Sequence, residues 1–225
     1  ADAATPIFSL PRKYARQREA CNRTAMSSNR HIVSVEPVPS VPTRCIAVDS
    51  ESHLFLAGKA MVPTHNTELG AWIVGVELHP EGPVRCDGFD ARGEPYGRPV
   101  EAPYIPMLSY TKDQTEELAY GALKAILENS TDADLFDIGQ ERILRYDHRG
   151  REDGKAVPLA GSPNARDGAR TTFQLFDEPH RLYTPQLHEA HSTMSANLPK
   201  RPDADAWSLY VGTAGELGQG SIQED

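Results

Sequence analysis

The run Thr64-His65-Asn66-Thr67 combines residue types that can break a peptide bond within their own chain. The side-chain amide of Asn66 can attack the Asn66 backbone carbonyl and close a succinimide, which cuts the chain before Thr67. The reaction needs a donor at the carbonyl oxygen and a proton for the leaving amine, and His65 is placed to supply one of these. The Thr67 hydroxyl is a nucleophile that can hold an upstream segment as an ester until the cut. The run therefore predicts self-cleavage between Asn66 and Thr67.

The sequence before this run extends the pattern. Cys45 opens an apolar stretch, and a hairpin-like segment follows at His53–Gly58. The order of Cys45, the hairpin-like segment and the run at 64–67 resembles that of the two C-terminal sequence blocks of an intein, a self-splicing protein element. An internal cysteine at this place, with Thr before His-Asn, is similar to the class 3 inteins, in which that cysteine attacks the upstream splice bond. The resemblance implies an all-β splicing fold for residues 1–66 and splicing roles for Cys45, Thr64, His65, Asn66 and Thr67.

The N-terminal blocks of such an element have no counterpart in this sequence. The class 3 pattern includes a tryptophan in an N-terminal block, whereas Trp72 and Trp207 both follow the junction. No Thr-x-x-His block precedes the junction either. We therefore expect a separate N-terminal intein half and an upstream host segment as partners, and residues 1–30 receive no assignment.

Thr67 also fits a second kind of functional site, a phosphate-binding loop. A phosphate-binding loop reads Gly-x-x-x-x-Gly-Lys-Ser/Thr and runs into a helix, and Thr67 would be its last residue, with its hydroxyl on Mg²⁺. The glycines and the lysine of that loop do not precede Thr67, because Gly58-Lys59 is followed by Ala60. Excision of the element that ends at Asn66 would restore the loop from an upstream segment.

Two carboxylates, Asp177 and Glu178, follow the apolar run Thr171–Phe176. Such a run predicts a buried strand, and ligand sites of open α/β sheets lie at the carboxyl ends of strands. Asp177 is expected to hold Mg²⁺, directly or through water, and Glu178 to polarise the water that attacks ATP. An acidic pair after an apolar run is also typical of a solvated turn, so its neighbours decide between the two interpretations.

With those neighbours included, the chain over roughly residues 67–221 resembles the ATPase domain of phage large terminases, the motors that package viral DNA. Asn164–Gly168 and Pro179–Arg181 are similar to the family's pattern on either side of the acidic pair. The turn after Trp207–Val211 resembles the family's coupling motif, in which Thr213 and Gly215 would bind the nucleotide. The resemblance implies ATP and Mg²⁺ as cofactors, and viral double-stranded DNA, the portal and the small terminase subunit as partners. The family's nuclease domain would lie beyond Asp225.

The alternation of helices and strands after Thr67 predicts an α/β core with a parallel sheet. The fold class is therefore mixed, an all-β intein segment (1–66) followed by a parallel-sheet P-loop ATPase core (67–225). The expected elements are helices over Thr67–Leu78, Asp113–Leu127 and Pro185–Asn197, and strands over Tyr104–Tyr110, Thr171–Phe176 and Trp207–Val211.

Composition narrows the functional classes. A net charge of −9 and a pI of about 5.4 argue against a general nucleic-acid-binding surface. The three cysteines have no C-x-x-C spacing, and no apolar run is long enough to span a membrane. These features predict a cytoplasmic protein without a membrane partner, and the resemblance to terminases implies that a phage or prophage in a bacterial host encodes it. Three functions stay open: an intein-interrupted terminase ATPase, a split-intein partner that only processes itself or splices in trans, and a non-catalytic gene remnant.

Overall fold

The computed structural model describes residues 55–57, 62–111, 118–159, 168–213 and 215–224, with backbone alone for 55–57 and 62–64. Cys45 and the rest of the predicted intein segment before Phe55 lie outside the described residues, as do Asn164–Asp167. The all-β fold expected for 1–66 and the domain boundary at the junction therefore stay predictions.

Two short hairpins flank the first helix. Strands β1 (Phe55–Ala57) and β2 (Val62–Thr64) pair antiparallel, with Phe55 opposite Thr64, in a two-stranded sheet of their own. Strand β1 lies within the hairpin-like segment expected at His53–Gly58, and β2 follows that segment. Strands β3 (Arg85–Phe89) and β4 (Pro95–Arg98) form a second two-stranded sheet.

A six-stranded sheet organises the remainder of the described chain. Its order is β10-β9-β5-β8-β7-β6. The strands are β5 (Tyr104–Leu108), β6 (Phe136–Ile138), β7 (Ile143–Tyr146), β8 (Glu152–Leu159), β9 (Phe173–Asp177) and β10 (Trp207–Val211).

The prediction of a purely parallel sheet is wrong in part, because the sheet is mixed. Strands β10, β9, β5 and β8 run parallel, whereas β7 is antiparallel to both β8 and β6. A tight turn at Asp147 reverses the chain between β7 and β8. Asp147 Oδ1 accepts the N–H groups of Arg149 and Arg151 at 2.8 and 2.9 Å, and Gly150 takes a φ of +72°. This side-chain-to-backbone bonding is the physical reason for the hairpin.

In the described part of the chain, three α-helices cover the sheet. They are α1 (Asn66–Leu78), α2 (described from Ala119 to Glu128) and α3 (Pro185–Asn197). Short 3-10 turns lie at Ala133–Leu135, Pro179–Arg181, Leu198–Lys200 and Pro202–Ala204. The predicted start of α3 is confirmed, since the Thr184 hydroxyl accepts the Leu187 N–H and Pro185 begins the helix. Within the described residues, no helix combines the length and the apolar character that a bilayer crossing requires.

The two faces of the sheet carry separate apolar cores. Helices α1 and α2 pack together on one face, over side chains such as Met107 of β5 and Leu175 of β9. Helix α3 packs on the other face, where Leu108 and Phe176 point. All five residues of β9 are buried, because a strand covered on both faces has no solvent side.

A buried arginine ties α1 to the antiparallel half of the sheet. Arg145 on β7 makes two hydrogen bonds to the Asp153 carboxylate, at 2.8 and 2.6 Å. Its remaining guanidinium nitrogen donates to the carbonyls of Leu78 and Val100 at 3.2 and 3.1 Å. The end of α1, and with it the direction of the helix, is held by this side chain.

Candidate functional site

The first turn of α1 meets the carboxyl end of β9. Thr67, the second residue of α1, lies with its hydroxyl 3.1 Å from Asp177, the last residue of β9, and donates to Oδ1. The two residues are 110 positions apart in sequence, and they are 4% and 1% exposed. The structure therefore brings together the two side chains from which sequence analysis expected Mg²⁺ binding.

Ionisation of the Asp177 side chain is energetically unfavourable at this buried position. The pKa of Asp177 is raised from 3.8 to about 6, chiefly by burial and also by the nearby Glu178 charge, while the Thr67 hydrogen bond and Arg181 oppose the change. Oδ2 of Asp177 is buried and accepts no hydrogen bond from any described residue. A buried carboxylate oxygen without a hydrogen-bond donor is suited to bind a cation.

Glu178 leaves the strand in a left-handed conformation. Its φ and ψ are +54° and +57°, a region that costs a non-glycine residue free energy. The turn is held because the Glu178 N–H donates to the Val211 carbonyl at 2.7 Å and Pro179 begins the following 3-10 turn. The conformation turns the Glu178 side chain out of the sheet, where it is partly exposed.

Thr213, in the turn after β10, lies against this carboxylate. Glu178 Oε2 is 3.3 Å from the Thr213 hydroxyl and 3.5 Å from its amide nitrogen, both of which donate to it. A Cβ on Gly212 would come within 2.9 Å of the Glu178 Cα, so this approach requires glycine. The predicted site residues Glu178 and Thr213 are therefore in contact.

Gly215 lies farther along the same turn and contacts a different side chain. Its N–H donates to Gln223 Oε1 at 3.2 Å, and a Cβ there would meet the His180 Cβ at 2.6 Å. His180 Nδ1 in turn lies 3.1 Å from Glu178 Oε2, an ion pair when the imidazole is protonated, although it is not aligned for a hydrogen bond. Sequence analysis gave His180 no role. Its only signal was its place two residues after Glu178.

Residues of the predicted splice junction lie next to Thr67. Asn66 Oδ1 accepts the Thr67 N–H at 2.8 Å and lies 3.3 Å from the Thr67 hydroxyl. That hydroxyl has a single hydrogen, so Asn66 and Asp177 compete for it. His65 occupies the N-cap position of α1 without a capping hydrogen bond from its side chain. Thr64 pairs through its backbone in β2, and Cys45 lies outside the described residues.

The chain is similar to known proteins over short stretches. No protein-family model matches it. It is 51% identical over 65 residues to the replicative DNA helicase DnaB of Mycobacterium intracellulare, covering 28% of this chain and 11% of the helicase. The DnaB helicase of Mycobacterium leprae (strain TN) is 62% identical over 39 residues, 17% of this chain and 6% of that protein. The gene 13 protein of Mycobacterium phage L5 is 28% identical over 97 residues, 43% of this chain and 16% of that protein.

Two solved structures are similar to about half of the chain. The large terminase ATPase domain of Thermus phage P74-26 has 19% identity and a TM-score of 0.40, with 52% of this chain and 50% of that one covered. The large terminase of a second, thermophilic bacteriophage has 12% identity and a TM-score of 0.29, with 48% and 32% covered.

Proposed function

We propose that residues 67–225 form part of the ATPase domain of a phage large terminase, which drives viral DNA into a capsid. We also propose that an intein ending at Asn66 interrupts its phosphate-binding loop. The hydrogen bond between Thr67 Oγ1 and Asp177 Oδ1, at 3.1 Å, carries the first proposal. A hydroxyl at a helix start beside a carboxylate at a strand end matches the Mg²⁺-binding pair of a P-loop ATPase.

The residues at this point fit a magnesium ion. The buried Asp177 Oδ2, which accepts no hydrogen bond from the described residues, would gain a positive partner. Those residues contain no group of three or more His, Cys, Asp or Glu side chains that could hold a metal. Mg²⁺ does not need one, since one or two carboxylates, water and phosphate oxygens complete its shell. Thr67 and Asp177 would hold the ion, which would neutralise charge on the ATP phosphates.

Glu178 would orient and polarise the attacking water. Its left-handed backbone turns the carboxylate away from the buried Asp177, and Thr213 and His180 fix its position. Thr213 and Gly215, in the turn after β10, would bind the nucleotide, in a motif that would sense its γ-phosphate. In the complete motor the partners would be viral double-stranded DNA, the portal and the small terminase subunit, inside a bacterial cell.

Two observations support the intein part of the proposal. The carboxamide of Asn66 lies next to the peptide bond that it would cleave, because its Oδ1 accepts the Thr67 N–H at 2.8 Å. For the cleavage itself, the carboxamide would turn so that Nδ2 faces the Asn66 carbonyl carbon. The relatives are of two kinds, replicative helicases at 51% and 62% identity and a phage protein at 28%. A chain composed of an intein and its host would have relatives of two kinds. Cys45, Thr64 and His65 would act with Asn66 and Thr67 in the splicing reaction.

Nucleotide binding by the spliced protein tests the ATPase proposal. We expect the protein made with its upstream host segment to bind a fluorescent ATP analogue in Mg²⁺, and Asp177→Asn to weaken that binding at least about tenfold. Asp203→Asn, a change of an exposed acid in the 3-10 turn Pro202–Ala204, is the matched control and should bind normally. Equal affinity of the Asp177→Asn variant would remove Asp177 from the proposed site.

A second candidate is that the chain only processes itself. In that case the spliced product would bind no ATP.

A further inference from the structure

A cleft lies at the amino ends of the parallel strands, at the opposite edge of the sheet from the Thr67–Asp177 pair. Tyr104 at the start of β5, Lys155 in β8 and Arg170, three residues before β9, line it. Its volume is about 470 Å³, which is within the range of roughly 300–1,000 Å³ that small-molecule sites occupy. The five residues of β9 separate it from Asp177 by roughly 17 Å. The cleft is therefore distinct from the proposed ATPase site.

Hydrogen bonds to the backbone fix both walls of the cleft. The Lys155 N–H donates to the Pro103 carbonyl at 2.8 Å, which holds β8 against the start of β5. On the other side, Arg201 donates from Nη1 to the Ala102 carbonyl at 2.8 Å and from Nη2 to the Glu101 carbonyl at 2.7 Å. The backbone of Ala102 is strained, with a φ of +42°, and these two bonds stabilise it. The Arg201 side chain is therefore held in place, and its remaining N–H groups have no described acceptor.

Three cationic side chains line this cleft without a carboxylate partner. No Asp or Glu that the structure describes forms an ion pair with Lys155, Arg170 or Arg201. Lys155 Nζ instead lies 5.1 Å from the centroid of the Tyr104 ring. Arg170 is exposed and makes no hydrogen bond with any described residue. These positive charges are therefore available to a ligand.

Two acidic residues at the cleft do not cancel this charge. Asp153 is already held by Arg145, whose guanidinium makes two hydrogen bonds to its carboxylate. Glu152 is exposed and forms no ion pair with a described residue. The charge around the cleft therefore stays positive, although the whole chain has a net charge of −9.

Arg170 and Arg201 lie close enough to repel each other. They line this cleft and also a smaller one of about 260 Å³ beside it. Burial lowers the pKa of Arg201, and the Arg170 charge lowers it further, against the opposing effect of Glu101 and Asp203. An anion between the two guanidinium groups would offset this repulsion.

We propose that the cleft binds a phosphate group, with Arg170, Arg201 and Lys155 as its ligands. A guanidinium presents parallel N–H groups that match two phosphate oxygens, and a lysine ammonium adds a point charge. The phosphate belongs either to a small molecule or to a DNA backbone, which present the same kind of oxygen. This site does not depend on the proposed ATPase function.

Titration of the 225-residue chain with inorganic pyrophosphate tests the proposal. A chelator removes Mg²⁺, so that the Thr67–Asp177 pair holds no ion. The Nε–H signals of Arg170 and Arg201 in NMR spectra should shift along one saturating curve. The signal of Arg142, an exposed arginine before β7 and outside the cleft, should not shift. Unchanged Arg170 and Arg201 signals up to about 10 mM pyrophosphate would overturn the proposal, and this result needs no variant.

Three variants measure the contribution of the side chains by isothermal titration calorimetry. Arg170→Ala should weaken pyrophosphate binding by at least about tenfold, because it removes charge-assisted hydrogen bonds. Lys155→Met should weaken it by about fivefold, because it removes the ammonium and keeps the apolar stem over Tyr104. Arg142→Ala is the matched control and should change it by less than about twofold. Unchanged binding by Arg170→Ala, or equal weakening by Arg142→Ala, would overturn the proposal.

Fluorescence anisotropy with a short DNA duplex identifies the source of the phosphate. If Arg170→Ala and Lys155→Met weaken DNA binding as much as pyrophosphate binding, the ligand is a backbone phosphate. If they weaken pyrophosphate binding alone, the ligand is a small phosphate compound. Both results support the site. Its failure would leave the ATPase proposal unaffected, because ATP binding is tested through Asp177 and Mg²⁺.

Discussion

The stability of the Asp177→Asn variant, relative to that of the natural chain, should increase as the pH rises from 4 to 7 in buffer that contains a chelator. Burial holds the Asp177 pKa at about 6 against 3.8 in the unfolded chain. Because the folded pKa is the higher one, the folded state is favoured fully below pH 4, and this advantage is lost as the pH rises through 6. Asn cannot ionise, and its side-chain oxygen can still accept the Thr67 hydrogen bond.

The magnitude follows from the size of the shift. About two pKa units at roughly 1.4 kcal/mol each give about 3 kcal/mol between pH 4 and pH 7. In the variant, an NH₂ group takes the place of Oδ2, which has no described partner. Its unpaired hydrogens lower the stability of the folded state by an amount that does not depend on pH. The change in the stability difference with pH is therefore the quantity to measure, rather than its value at one pH.

Urea unfolding followed by circular dichroism, at half-unit steps from pH 4 to 7.5, measures this difference for the variant and the natural chain. Asp147→Asn is the control with the opposite sign, because hydrogen bonds from Arg151 and Arg149 in its turn lower the Asp147 pKa to about 2. Its contribution is present above the unfolded pKa of 3.8 and is lost as the pH falls from there through about 2, so the difference should stay nearly constant from pH 4 to 7.5. A flat difference for Asp177→Asn over the same range would refute the reasoning about burial.

Three further outcomes are expected. The purified chain should slowly release a fragment that begins at Thr67, and Asn66→Ala should stop this; equal release by intact mass in both would refute succinimide cleavage. With a complementary N-terminal intein half, Cys45→Ala should abolish ligation and spare cleavage before Thr67; ligation at normal yield would contradict the class 3 assignment. Arg145→Ala should lower the free energy of unfolding by about 3 kcal/mol, because it leaves Asp153 and two carbonyls unpaired. Arg149→Ala, on the exposed turn, should change it by less than about 0.5 kcal/mol by urea titration, and equal losses would contradict the role of the buried arginine.

Local signals in the sequence were sufficient for the elements that position the site. Helix α3 begins where Thr184 caps it and Pro185 fixes its first turn, and β10 has the predicted bounds, Trp207–Val211. The antiparallel half of the sheet was missed, because β6 and β7 have only three and four residues and carry charged side chains. The pattern Asp-x-Arg-Gly, present at Asp147 and again in the β3–β4 turn at Asp90, was the available signal.

The sequence indicated candidate site residues but not most of their arrangement. The contact between Thr67 and Asp177 is the exception, because both residues were expected to bind the same Mg²⁺ ion. The approach of Thr213 to Glu178 depends on the left-handed backbone of Glu178 and on Gly212, which no periodicity in the sequence reveals.

Hydrolysis of ATP by the spliced protein is the most direct test of the central claim, that Thr67 and the Asp177-Glu178 pair belong to one ATPase site. The protein made with its upstream host segment and the N-terminal intein half, and allowed to splice, should release phosphate from ATP only in the presence of Mg²⁺. Glu178→Gln should reduce this rate by about 100-fold or more while ATP still binds. The present chain, with no Gly-x-x-x-x-Gly-Lys before Thr67, should release none above background. Robust hydrolysis by the present chain, or a spliced protein indifferent to Glu178→Gln, would contradict the account.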